Sequence, residues 1–176
     1  MSLIPTEAWY CDRLKLVEEE HRGVLDRIGR PWYQHFERVA LRLIFRNPKA
    51  SRAQIEAAIM HDALMARGKG RGFLEAIGLE PEAIAIIQLT TPPPHGNYFR
   101  DFEAITPADN AIYLDYIRGV VASGNRAAIQ VKLADIRDTI EAFEESSLPV
   151  LKGQLRDRYR PSAELLAAAV ETPAAG

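Results

Sequence analysis

Two residues of metal-ligand type stand side by side at His61-Asp62. They close an apolar stretch, Ile55, Ala57, Ala58, Ile59 and Met60, and precede Ala63, Leu64 and Met65. An ionised carboxylate buried there without a partner costs on the order of several kcal/mol. A divalent cation removes that cost by supplying the opposite charge. Two further residues share the setting: His35 in Trp32-Tyr33-Gln34-His35, and Asp135 in Val131-Lys132-Leu133-Ala134-Asp135-Ile136. Two imidazoles and two carboxylates suit a borderline-to-hard divalent ion. Several such ions take six ligands, which leaves positions for water and substrate oxygens. An ion held this way acidifies water and polarises a phosphoryl group, as phosphate-ester hydrolysis requires.

Each residue also has a plainer account. His35 can be a hydrogen-bonded core histidine, and Asp135 can pair with Arg137 or Lys132 at a helix surface. Adjacent residues on a helix point about 100° apart. His61 and Asp62 therefore reach one ion only where their helix faces a cleft or bends.

The elements that must position these residues all read as helices. Apolar residues recur at helical spacing over 6–28 (Trp9, Leu14, Leu16, Val17, Val24, Leu25, Ile28), with Gly29-Arg30-Pro31 as the stop. A second helix is expected over 35–45, ended by Asn47-Pro48. Ser51 starts a third, with Gln54 completing a capping box, and this helix carries His61 and Asp62. Short helices are expected over 73–77, closed by Gly78, and over 81–89, opened by Pro81. The segment 92–97 is non-helical, and the loop extends to Thr106-Pro107. A long helix then runs to Val121, Gly124-Asn125 breaks it, and another covers 126–146. Two short helices, 148–159 and 162–170, precede a frayed end. No strand-like alternation and no internal repeat occur.

Composition narrows the classes. The chain has 176 residues, 47% hydrophobic and 26% charged, as ordinary globular proteins have. A formal net charge of −2 gives no broad attraction for nucleic acid or anionic lipid. The single cysteine, Cys11, cannot form an internal disulfide and fits a reducing cytoplasm. No apolar run approaches the roughly 20 residues of a membrane span. Glu7, Asp12 and Arg13 come too early for the apolar core of a secretory signal.

The order His, His-Asp, Asp along a helical chain resembles the HD-domain superfamily of metal-dependent phosphohydrolases. It is most similar to the small hydrolases related to the hydrolase domain of the bifunctional (p)ppGpp synthetase/hydrolases. That branch reads H-x-G-Q, a basic residue, G-x-P-Y and H. Here the stretch is His21-Arg22-Gly23, Arg27, Gly29-Arg30-Pro31-Trp32-Tyr33-Gln34-His35. The H-D pair matches His61-Asp62, and L-T matches Leu89-Thr90. Y-x-x-Y-I resembles Tyr113-Leu114-Asp115-Tyr116-Ile117, and V-K-L-A-D matches Val131 to Asp135. The resemblance spans roughly residues 15–145. It implies metal ligation by His35, His61, Asp62 and Asp135, with His21 and Tyr116 mainly structural.

Several positions depart from the branch. Its Glu-Asp pair, which helps activate the attacking water, is replaced by Met65 and Ala66. A general base typically contributes about 10²–10⁴-fold, and neither residue can act as one. The Asn that contacts the nucleotide is Thr139 here, and the Arg that stacks on guanine falls at Asp26, beside Arg27. Cations for phosphate are expected from Arg27 and from Arg67, Lys69 and Arg71 in the loop of Gly68, Gly70 and Gly72. Lys132 is a weaker candidate for the same role and is expected to face solvent. Glu75, Glu80, Glu82, Asp101 and Glu103 are the candidate replacements for the absent acids. The aromatic group Trp32, Tyr33 and Phe36 is expected to pack in the core, and His95 to be exposed.

The expectation is thus an all-α, single-domain HD-type helical bundle over residues 1–160, with a short helix and tail over 161–176. It is a cytoplasmic, metal-dependent phosphohydrolase with one divalent ion, Mn2+ ahead of Fe2+, Co2+, Ni2+, Zn2+ and Mg2+. Asp62 serves both the metal and water activation. The substrate is a nucleotide or related small phosphate ester or anhydride, with no membrane or nucleic-acid partner. The alternative is an HD scaffold that binds metal or nucleotide without turnover, and a third reading is a purely structural helical protein.

Overall fold

The computed structural model describes residues 7–63, 70–93 and 105–171. Among them the structure is helical, and the one β feature is an isolated antiparallel bridge between Leu25 and Pro31. The chain divides into two compact units, Met1–Thr91 and Pro92–Gly176.

In the first unit the helices are α1 (Ala8–Glu20), α2 (Tyr33–Arg46), α3 (Arg52–Met60), α4 (Arg71–Ala76) and α5 (Pro81–Thr90). Helix α3 lies at the centre and packs on α1, α2 and α5. Every residue from Ala53 to Met60 is buried, so this helix is enclosed on all sides rather than on one stripe. The expected capping box opens it: the Ser51 hydroxyl accepts from the Gln54 amide, and the Gln54 side chain accepts from the Ser51 amide. Enclosing α3 also buries Glu56 at 0% exposure. Arg13 of α1 and Arg52 reach its Oε1 at 3.1 and 3.3 Å. Arg13 further donates to the carbonyls of Ile77 (2.8 Å) and Gly78 (3.2 Å), so one guanidinium ties α1, α3 and the end of α4 together. Gly78 ends α4 with φ 74°, and the Leu79 amide turns back to the Leu74 carbonyl.

Helix α1 stops at Glu20, short of the expected 28. Gly23 adopts φ 77°, where a side chain is disfavoured, and the chain leaves the helix axis. The turn that follows is organised by Asp26. Its Oδ1 accepts the amides of Ile28 and Arg30, both at 2.9 Å, and its Oδ2 accepts from Arg30 Nε at 3.2 Å. Val24 and Leu25 are consequently exposed, at 38% and 60%, although their spacing fits a helical face.

In the second unit the helices are α6 (Pro107–Ala122), α7 (Arg126–Glu145), α8 (Pro149–Gln154) and α9 (Arg160–Glu171). Helix α9 packs against α6 and α7. Thr106 and Asp109 form a capping box for α6, and the Asn125 side chain caps α7 through the Ala128 amide. Helices α8 and α9 are not separated by a break. A π-helical turn, Leu155–Tyr159, joins them. Pro161 has no amide to donate and its ring crowds the carbonyl four residues back; the widened turn directly before it accommodates both effects. No helix among the described residues is long and apolar enough to cross a membrane.

Candidate metal centre

Where α3 ends, its last carbonyls have no partner within the helix and must find one elsewhere. His61 supplies it: Nδ1 lies 2.8 Å from the Ala58 carbonyl oxygen. A carbonyl only accepts, so Nδ1 carries the proton and Nε2 presents its lone pair on the opposite side of the ring. Metal-ligating histidines are held in this way, by a backbone acceptor on the second nitrogen.

His35, on the first turn of α2, meets that lone pair. The two Nε2 atoms are 3.3 Å apart, and both residues are buried, His61 at 0% and His35 at 8% exposure. Nitrogens bound to one ion at about 2.0–2.1 Å, subtending about 90–110°, stand about 2.8–3.4 Å apart. The observed spacing falls inside that window. Without an ion, the same spacing closes an N–H···N hydrogen bond. Asp62 adds a buried carboxylate, with Oδ2 at 3.7 Å from His61 Nε2. His35 and His61 thus present two buried nitrogens at a spacing that a divalent metal could bridge, with the Asp62 carboxylate beside His61.

The ring of Phe36 fixes the imidazoles. Its centroid lies 4.8 Å from that of His21, 5.5 Å from His35 and 5.3 Å from His61. Phe36 is buried at 1% exposure, as expected of a core residue, while Trp32 stacks over it and edges against His21. His21 is buried and its Nδ1 faces the Val17 carbonyl at 2.9 Å, the hydrogen-bonded imidazole anticipated from sequence.

Asp135 lies in the second unit, on α7, and is buried at 8% exposure. Lys132, one turn earlier, donates to its Oδ2 at 2.8 Å. Lys132 does not face solvent: it is 2% exposed, and Nζ sits 5.5 Å from the centre of the Tyr116 ring. Helical spacing over 129–136 could not show this, because the run is apolar on several faces and only packing decides which of them stays wet. Burial raises the phenol pKa of Tyr113 and of Tyr159, and so keeps both neutral.

The anticipated phosphate contacts are placed less centrally. Arg27 is exposed in the turn organised by Asp26. Arg71 is exposed at the start of α4, where Nε donates to Glu75 Oε1 at 2.7 Å. Glu75, Glu80 and Glu82 are all exposed. Met65, Ala66, Arg67, Lys69, His95, Asp101 and Glu103 lie outside the described residues. Sequence reasoning passed over Arg158, the largest fully buried side chain among the described residues. It donates to Asn110 Oδ1 at 2.9 Å and lies over the Tyr113 ring at 4.9 Å. A basic residue directly before Tyr159-Arg160-Pro161 carries no local signal of burial.

No protein-family model matches the chain, and no curated protein is significantly similar to it in sequence. Solved structures do match. One is a metazoan ortholog of SpoT, which hydrolyzes ppGpp and plays a role in starvation responses. The likeness covers 96% of this chain and 88% of that one, with a TM-score of 0.70 at 16% sequence identity. At that identity the likeness is one of fold: the chain has the helical HD-type fold of that hydrolase.

Proposed function

We propose that the chain is a divalent-metal-dependent phosphohydrolase acting on a nucleotide or a related small phosphate ester or anhydride. The observation that carries this reading is the buried pair His35 and His61, with facing Nε2 atoms 3.3 Å apart and the His61 tautomer set by Ala58. A fold shared with a ppGpp hydrolase supports it. Asp62 and Asp135 complete the proposed ligand set, Asp135 by the order of the motifs along the chain.

When bound, a divalent ion supplies Lewis acidity toward a phosphoryl oxygen and toward water. The residues do the rest. The Ala58 carbonyl keeps the His61 proton on Nδ1, Phe36 holds both imidazole planes, and the two aspartates balance the charge. Arg27, Arg67, Lys69 and Arg71 are the proposed cations for the substrate phosphates. Mn2+ is the proposed ion, ahead of Fe2+, Co2+, Ni2+, Zn2+ and Mg2+, and the cytoplasm is the proposed compartment.

The test is release of phosphate or pyrophosphate from a broad nucleotide panel with Mn2+ and other divalent ions. Turnover abolished by Asp62→Ala and by Asp135→Ala supports the proposal; no turnover with any ion refutes it. A second reading is favoured by Met65 and Ala66 at the positions of the branch's Glu-Asp pair. In that reading the chain binds metal or nucleotide without chemistry, and calorimetric binding with no product distinguishes it.

A further inference from the structure

Lys132 and Asp135 form an ion pair one helical turn apart, and both side chains are buried, at 2% and 11% exposure. An i,i+3 ion pair on a helix surface contributes a few tenths of a kcal/mol and is dispensable. This one is not at the surface. The Lys132 ammonium is packed beside the Tyr116 ring, which favours a cation over its face. It is therefore held in place, and its Nζ–Oδ2 contact of 2.8 Å is a charge-assisted hydrogen bond.

A buried carboxylate needs a cation whether or not a metal is present. We propose that Lys132 is the resident counter-ion of Asp135: it neutralises the buried carboxylate in the metal-free protein and competes with the divalent ion for its charge. This rests on the proposed ligation by Asp135. Two cations sharing one carboxylate repel, and linkage makes each weaken the hold of the other. Lys132 thus sets metal affinity below the value the ligands alone would give. A merely structural lysine would stabilise the helix with no effect on metal uptake.

The experiment is calorimetric titration of Mn2+ into the full chain and its Lys132→Met and Lys132→Gln variants. Thermal melts with and without Mn2+ run alongside. Lys132→Gln keeps a donor to Asp135 without the charge and covers the case in which Lys132→Met fails to fold. The expected result is a lower melting temperature without metal in both variants, a larger rise on adding Mn2+, and Mn2+ affinity tighter by roughly fivefold or more. Lys132→Arg restores the wild-type affinity. Equal or weaker Mn2+ binding by the neutral variants overturns the proposal alone. Wild-type binding by Asp135→Asn overturns it through its premise. No divalent-metal binding by the wild-type chain removes the metal reading and this inference with it.

Discussion

The ε nitrogens of His35 and His61 face one another across 3.3 Å, brought together from the first turn of α2 and the end of α3. The spacing suits both a shared ion and a hydrogen bond. Replacing His61 by Ala removes one donor and also the partner of the Ala58 carbonyl. The expected outcome is complete loss of the Mn2+-induced rise in melting temperature. Phe36→Leu, which keeps both donors but frees their planes, should weaken Mn2+ binding by roughly ten- to a hundredfold, the range for loss of an outer support. Titration calorimetry checks both. Unchanged Mn2+ affinity in His61→Ala would remove the imidazole pair from the site.

Asp26 satisfies two amides and one guanidinium in the turn after α1. Asp26→Ala leaves those donors without their acceptor, and chemical denaturation should show a loss of about 1–2 kcal/mol. Asp26→Asn keeps the Oδ1 acceptor and should lose less than half as much. Equal losses in the two variants would show that the ion pair with Arg30, rather than the turn, is what matters.

Glu56 is buried at 0% exposure, with Arg13 and Arg52 as its cations. Arg13→Met leaves the carboxylate with only the half-exposed Arg52, and should cost about 3 kcal/mol. The double variant Arg13→Met, Glu56→Met removes the stranded charge and should be more stable than Arg13→Met alone. Additive losses in the double-mutant cycle would contradict a coupled pair.

Tyr10 is buried, and among the described residues its hydroxyl has no hydrogen-bond partner. Burial, reinforced by Glu37 and Cys11, pushes its pKa up to about 12. A phenol whose folded pKa is raised adds stability that is full below about pH 10, its unfolded value, and is lost as pH rises toward 12. Melting scans between those pH values should show stability falling by up to about 1 kcal/mol per unit from this group. Tyr10→Phe should flatten that slope and leave neutral stability unchanged or slightly higher, since no hydrogen bond is lost. A lower neutral stability in Tyr10→Phe would reveal a partner for the hydroxyl.

What could be read without coordinates is what depends on short stretches of chain. The caps at Ser51-Gln54, Gly78, Pro81 and Gly124-Asn125 involve residues within a few positions of one another, so helix limits there followed from residue type. His35, His61, Asp62 and Asp135 drew notice because ionisable groups sat in apolar runs, and all four are buried. Tertiary packing decided the rest. The exit of α1 at Glu20, rather than 28, depends on Asp26 folding the chain back through contacts that helical spacing does not encode. The continuity of α8 into α9 through a π turn, the enclosure of Lys132 and Arg158, and the approach of His35 to His61 across 26 positions are likewise absent from any local pattern. Periodicity tells which residues share a face of one helix. Which faces meet, and which charges are shut away from water when they do, is set only when the helices pack.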